Sequence, residues 1–453
     1  MSNTLTKDKT STKEGYKKTK LGWIPEGWET PEISDVFNFL RTSSFSRNQL
    51  NYKEESEIYY IHYGDIHATY KTPILDFEKI QTVPRLNDDV TLPANVDYLK
   101  DGDVIIADAS EDYEGIGTAI ELQNTNKKKV ISGLHTFALR DREGKTVQGF
   151  RTYIFKNPLV KKALKTIATG SKVFGISKSN VQNFKIVLPP LPEQHKIAQI
   201  LSTWNKAIAL QEQLITQKQA LKKGLMQDLL TGKKRFPGFE EEWSTPIINE
   251  VFNFIKTTSF SRAQLNYSDK NQIYYIHYGD IHSKYKKPIL DLEETQEIPK
   301  LNSDIKLPNS IQYLKNGDVI IADASEDYNG VGKAIELQNV NEKKVISGLH
   351  TFALRDKKDL TTSGFRAYIF KNPLVKKALK TIATGSKVYG ISKGNVQKFQ
   401  IVLPSIEEQK KIASVLSNFD TEIEKLITHK ESLIQQKQGL MQQLLSGEKR
   451  VKI

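Results

Sequence analysis

The chain has 453 residues, with 66 Lys and Arg against 53 Asp and Glu, a formal net charge of +13. Hydrophobic residues make up 38% and charged residues 26%, which supplies real cores and excludes disorder over the whole length. Cysteine is absent, so disulfides, zinc–thiolate and iron–sulfur sites and a catalytic thiol are excluded.

Residues 1–20 are rich in Lys, Thr and Ser and are expected to form a mobile basic tail. They lack an apolar stretch, so no secretory signal is expected, which favours the cytoplasm. Residues 21–190 mix short strand-like runs with turns. DGDVIIADA (101–109) predicts an Asp-Gly turn followed by a buried strand. KVISGLHTFALR (129–140) predicts a further pair of apolar strands. NPLVKKALKTIATG (157–170) predicts a helix: Asn157 caps it, Pro158 suits its first turn and Gly170 ends it. This part is therefore expected to be an α+β domain. Residues 191–235 follow as a spacer helix. The run 193–230 contains no proline and ends at Thr231-Gly232; it would span ~57 Å at 1.5 Å per residue.

The pattern then begins again. Residues 35–52 return at 250–267, IYYIHYGDIH (58–67) returns unchanged at 273–282, and ADASEDY (107–113) returns at 322–328. The offset is 215 residues throughout, and only 17 of 91 positions differ between 98–188 and 313–403. A period of this length means two copies of a domain-sized unit. The second copy comprises a domain over 236–404 and a spacer helix over 405–449. Ser405 and Glu408 have the spacing of a capping box. Leu416, Phe419, Ile423, Leu426, Lys430, Leu433, Lys437, Leu440 and Leu444 alternate steps of three and four, a coiled-coil seam. The first helix keeps this pattern at Ile197, Leu201, Trp204 and Ile208, then drifts to Leu214, Leu221 and Leu225. The expected architecture is two pseudo-two-fold related α/β domains separated by a long antiparallel two-helix coiled-coil spacer.

Catalytic motifs are missing. The chain has no (D/N/S)PP(Y/F) motif for methylating a base amino group, no phosphate-binding GxxxxGK(S/T) loop and no HExxH. EGIGTA (114–119) and NGVGKA (329–334) read as tight turns. Asp108, Glu111 and Asp112, with Asp323, Glu326 and Asp327, read as turn caps rather than metal ligands. His62, His67 and His135 recur as His277, His282 and His350, and read as hydrogen-bonding histidines. No catalytic or metal residue is assigned.

SSFSRNQLNY (43–52) and HATYKTP (67–73) combine hydroxyl, amide, aromatic and basic groups that contact phosphates and base edges. The candidate DNA contacts are Ser44, Arg47, His67, Tyr70, Lys71 and Lys172. Their repeats are Ser259, Arg262, His282, Tyr285, Lys286 and Lys387. Arg47 would fork onto a guanine edge or a phosphate, Asn48 or Gln49 would pair with adenine, and Lys71 and Lys172 would hold phosphates. The alternative is that Arg47 pairs with an acid. ATGSKVFGIS (168–177) and ATGSKVYGIS (383–392) carry exposed-looking Gly-Ser-Lys turns that either approach a backbone or cap a helix.

LGWIPEGW (21–28), ISKSNVQNFKIVLPPLPEQHKIAQIL (176–201), GLMQDLLTGKKRFPGF (224–239) and GLMQQLLSGEKR (439–450) resemble the specificity subunit of type I restriction–modification systems. The resemblance covers nearly the whole chain. It implies a subunit without catalysis or cofactor of its own, which reads a bipartite target on double-stranded DNA. It also implies partners: two modification subunits that methylate adenine with S-adenosylmethionine, and two restriction subunits that use ATP and magnesium. The two domains are nearly identical here, unlike those of most relatives, so the expected target is an interrupted palindrome. The rival readings are a self-sufficient methyltransferase or nuclease, and a stand-alone DNA-binding protein or coiled-coil scaffold.

Overall fold

The computed structural model describes residues 13–52, 56–70, 72–80, 82–268, 272–295 and 297–453. The chain forms two compact units: Met1–Gln211 with His429–Ile453, and Glu212–Thr428. Each unit is thus one α/β domain together with the start of one long helix and the end of the other.

In the first unit a five-stranded sheet runs in the order Phe37–Leu40, Thr136–Asp141, Val104–Ala107, Ala119–Gln123, Ile74–Asp76. A four-stranded sheet runs Lys129–Ser132, Ile58–Ile61, Arg85–Leu86, Leu50–Asn51. Val104–Ala107 is buried at all four positions because both of its faces are covered. Val104 and Ile106 enter a core shared with the helices, while Ile105 and Ala107 enter a second core with Ile61, Ile66 and Val130. That is strand alternation within an unbroken apolar run. The segment 129–140 does hold two strands, but they lie in different sheets. Lys129–Ser132 pairs in parallel with Ile58–Ile61, and Thr136–Asp141 pairs antiparallel with Val104–Ala107. Asn157 caps the helix Pro158–Ile167 by accepting from the Leu159 amide at 2.9 Å. The second unit repeats both sheets with the same strand order at the 215-residue offset.

The expected tail needs correction at its C-terminal end. Tyr16–Thr19 is a strand paired antiparallel with Gly22–Pro25, and the Tyr16 hydroxyl donates to the Gly447 carbonyl at 2.8 Å. Its backbone groups find partners there, which the Lys-rich composition does not reveal.

The long helices are Leu191–Leu230 and Ile406–Ser446. In the first unit the start of one lies beside the chain leaving the other: Glu193 accepts from Arg450 at 2.9 Å and from the Trp28 indole at 3.2 Å. In the second unit Glu408 accepts from Arg235 at 2.7 Å and from the Trp243 indole at 2.8 Å. Within each unit the helix segments therefore run antiparallel. The Glu408 carboxylate, expected to pair with Ser405 in a capping box, is engaged in this cross-helix pairing. The adjacent Gln194 accepts from the Val147 amide at 3.0 Å and donates to the Pro189 carbonyl at 2.8 Å. Gln409 does the same with Thr362 and Pro404. The Glu-Gln pair at each helix start is thus a clamp between helix and domain.

The seam of the second helix is as expected: Leu416, Ile423 and Leu444 are buried and the intervening positions half-buried. The first helix does not drift to Leu214 and Leu221, which are 38% and 57% exposed. Its inner stripe keeps the three–four rhythm through Gln211, Ile215, Lys218, Lys222 and Leu225. Two lysines hide the rhythm. Lys218 pairs with Glu422 at 2.6 Å and Lys222 pairs with Asp420, while their ammonium groups lie 6.0 Å from the ring centres of Phe419 and Tyr368. Their alkyl stems fill seam positions and their charges leave it sideways.

Candidate nucleic-acid interface

The loops that follow the strands Ile58–Ile61, Lys129–Ser132 and Val104–Ala107 are tied together by backbone hydrogen bonds. The Gly133 amide donates to the Ile61 carbonyl at 2.9 Å, Asp108 to His135 at 3.0 Å, and Ile176 to Asp108 at 2.8 Å. The Ser43 amide joins them through the Ser132 carbonyl at 2.9 Å. Segments far apart in sequence, 43–49, 62–67, 108–110, 133–135 and 169–176, thereby reach one region of the unit.

Arg47 lies in this region, in a short turn begun by Ser46. Its guanidinium is forked onto Asp65, at 2.9 Å and 3.3 Å. Arg262 forks onto Asp280 at 2.9 Å and 3.1 Å. The ion pair weighed as the alternative for Arg47 is therefore present in both units. The Asp65 side chain is 7% exposed and that of Arg47 49%, so the guanidinium keeps an open outer face. Its hydrogen bond to the Asp65 carboxylate raises the Arg47 pKa further.

His62 caps the helix Tyr63–Ala68 by accepting from the Gly64 amide at its Nδ1, at 3.0 Å. Burial, and then the nearby Arg47 charge, lower its pKa. It is therefore a neutral imidazole with its proton on Nε2. The Tyr63 ring lies 4.7 Å from His62 and 5.3 Å from His135, ring centre to ring centre. His135 holds a left-handed backbone, φ +58°, and its Nδ1 lies 3.2 Å from Asp108. Burial raises the Asp108 pKa, against the opposing pull of His135. The second unit reproduces this stack in His277, Tyr278 and His350, with ring spacings of 4.7 and 5.3 Å and His350 3.3 Å from Asp323.

The other expected contacts divide. Ser44, Lys172, Ser259 and Lys387 are exposed. Lys172 rides a loop closed by reciprocal backbone hydrogen bonds between Thr169 and Gly175. Gly170 at φ +129° is required there, because a Cβ would lie 1.9 Å from the Val173 carbonyl oxygen. His67 and His282 are half-buried and bond the Ala109 and Ala324 carbonyls at 2.9 Å, so they hold the loop frame. Lys286 donates to the Ser283 carbonyl at 2.6 Å and is exposed. Lys71 lies outside the described residues. Tyr70 and Tyr285 are a correction: they are 6% and 5% exposed, with hydroxyls that find no hydrogen-bond partner among the described residues, and sit in the core behind the loops. Burial pushes both phenols well above their ordinary pKa. Gln49 is half-buried and engaged locally, its side-chain oxygen accepting from the Ser46 amide at 2.9 Å.

The sequence reading missed Tyr63, His62 and His135 as part of this surface. The unchanged runs 58–67 and 129–141 carry these residues, but the still longer unchanged run 153–173 keeps them from standing out in the sequence. Among the described residues no group of three or more His, Asp or Glu is placed to hold a metal ion, and no helix is long and apolar enough to cross a membrane.

Residues 25–218 and 240–434 each match the family model described as the type I restriction modification DNA specificity domain. The type I restriction enzyme MjaVIII specificity subunit of Methanocaldococcus jannaschii is 25% identical over 97% of both chains. The crystal structure of the HsdS subunit from Thermoanaerobacter tengcongensis matches with a TM-score of 0.50 at 18% identity, covering 94% of this chain and 98% of that one. A structure described as underlying complex assembly and conformational transition of the type I restriction–modification system matches with a TM-score of 0.59 at 17% identity, covering 94% and 99%.

Proposed function

We propose a way of reading DNA from one premise: the chain belongs to the type I restriction–modification DNA specificity family and is a non-catalytic specificity subunit. Each unit reads one half-site through the loops around Arg47 and Arg262. The outer face of the guanidinium and the histidine–tyrosine–histidine stack meet base edges, while Ser44 and Lys172, with their repeats Ser259 and Lys387, meet phosphates. The observation that carries this reading is recurrence. The Arg47–Asp65 fork and the Tyr63 stack return in the second unit with distances matched to within about 0.2 Å. Two such surfaces read the same bases. The antiparallel run of the helices within each unit favours half-sites on opposite strands over a direct repeat, so the target is an interrupted palindrome.

The exposed faces of the long helices receive two modification subunits, which methylate adenine with S-adenosylmethionine. Two restriction subunits, using ATP and magnesium, complete the assembly in the cytoplasm. Single-molecule mapping of methylated adenines in the host genome tests the reading. One half-site repeated in inverted orientation across a fixed gap is expected; two unrelated half-sites would overturn it.

A further inference from the structure

A second group of cations lies outside these loops. In the first unit a cleft of about 580 Å³ is lined by Glu114, Gly117, Lys156, Lys161, Lys162 and Lys165, among others. Among the described residues Glu114 is the only carboxylate lining it, and that charge is already taken by Lys165 and, at 3.6 Å, by Lys161. Lys156 ends the helix Arg151–Lys156, and among the described residues its ammonium has no ion-pair or hydrogen-bond partner. Its charged neighbours are Lys437 and Lys161, and burial together with their repulsion pushes its pKa down to about 8. Lys437 is no better compensated. It donates to the side-chain carbonyl of Asn205, whose amide in turn donates to the Tyr153 hydroxyl at 3.0 Å.

The second unit meets the same problem with an internal acid. At the 215-residue offset Lys156, Lys437 and Tyr153 correspond to Lys371, Lys222 and Tyr368, but Asn205 corresponds to Asp420. Asp420 pairs with Lys222, accepts from the Tyr368 hydroxyl at 3.1 Å and partly offsets the burial and the repulsion of Lys222 that push the Lys371 pKa down to about 8. The first unit keeps the lysines and lacks the acid. Two like charges held close in a partly buried place call for a counter-charge.

We propose that the cleft of the first unit is a binding site for a phosphate group, which supplies the negative charge that Asp420 supplies in the second unit. A phosphate dianion in the cleft has Lys156, Lys161 and Lys162 as donors, and its charge offsets the repulsion that Lys156 meets from Lys437, which does not itself line the cleft. The phosphate comes either from a DNA backbone or from a free phosphate compound. The site does not depend on the reading loops and stands or falls apart from them.

The test uses the full chain and inorganic pyrophosphate at constant ionic strength, followed by calorimetry and thermal melting. Saturable binding with a raised melting temperature is expected for the wild type. Asn205→Asp copies the arrangement of the second unit, and Lys156→Met removes a charge while keeping a stem of similar length. Each should weaken pyrophosphate binding at least tenfold, and each should melt no lower than wild type without ligand. Duplex DNA distinguishes the sources. If the phosphate is that of DNA, pyrophosphate competes with duplex and Asn205→Asp weakens specific and non-specific duplexes by the same factor. If it is free phosphate, duplex affinity is unchanged while pyrophosphate binding is lost. Absence of saturable binding to the wild type, or unchanged binding in both variants, would overturn the proposal.

Discussion

The guanidinium of Arg47 is committed to a carboxylate before any DNA arrives. Asp65 is nearly buried, so removing its partner leaves an uncompensated charge. Arg47→Ala should therefore lower the stability of its unit by roughly 1–3 kcal/mol, measured by urea denaturation, and Arg47→Ala/Asp65→Asn should recover part of that loss. The same Arg47→Ala change should relax sequence preference in one half-site only, whereas unchanged preference in Arg47→Ala/Arg262→Ala would assign the arginines to loop architecture alone. Glu121 is a different case. It is fully buried, one oxygen accepts from the Gly149 amide at 2.5 Å and the other has no partner among the described residues. Burial raises its pKa from 4.5 to about 7. A carboxyl raised in the folded state binds its proton more tightly than in the unfolded chain. Its stabilising contribution is complete below about pH 4.5 and is lost as pH rises to about 7. Glu121→Gln should remove this slope, gaining up to about 3 kcal/mol over wild type at pH 8 and little near pH 4.5. Denaturant midpoints at both pH values decide the matter.

At the scale of elements, the long helices separate rhythm from composition. Leu416 is fully buried, while Leu221 is mostly exposed although both are leucines on long helices. Leu416→Asp should cost several kcal/mol, about the price of an unpaired buried charge, whereas Leu221→Asp should change stability by less than about 0.5 kcal/mol. Thermal melts showing equal losses would mean that the seam is misplaced. The loop 169–175 makes a similar point about backbone. Gly170→Ala cannot close the loop without displacing the Val173 carbonyl. It should weaken DNA binding more than Lys172→Ala, since it moves the whole loop rather than one charge.

For the whole molecule, the excess of cations is the relevant quantity. With +13 formal charges and two half-sites, ~6–10 phosphate contacts imply a fall in affinity of ~10³–10⁵ between 50 and 200 mM salt. A slope near zero on specific duplex would show that the charge serves something other than DNA. The duplication also has an energetic consequence: each unit has its own cores, drawn from its own domain and the helix ends attached to it. A helix end removed by truncation should therefore destabilise the unit in which it packs. Deleting 439–453 strips Leu440, Leu444 and Leu445 from the first unit's core, and urea unfolding should show that unit lost first.

Periodicity and self-similarity alone determined the two-unit plan, the long helices, the buried Val104–Ala107 strand and the cap at Asn157. Each of these depends on neighbours in sequence or on a repeat, and local preference acts through such neighbours. Tertiary structure decided the rest. It placed Tyr70 in the core though its flanks read as a polar loop, and it gave Asp65 to Arg47 across eighteen residues. It brought His62, Asp108 and His135 from three strand ends to one region. It turned two lysines into seam residues by providing Asp420 and Glu422. In every case the partner is remote in the chain, and a side chain's role follows from which remote group takes its charge, its hydrogen bond or its apolar face. That information enters only when the sheets and helices pack.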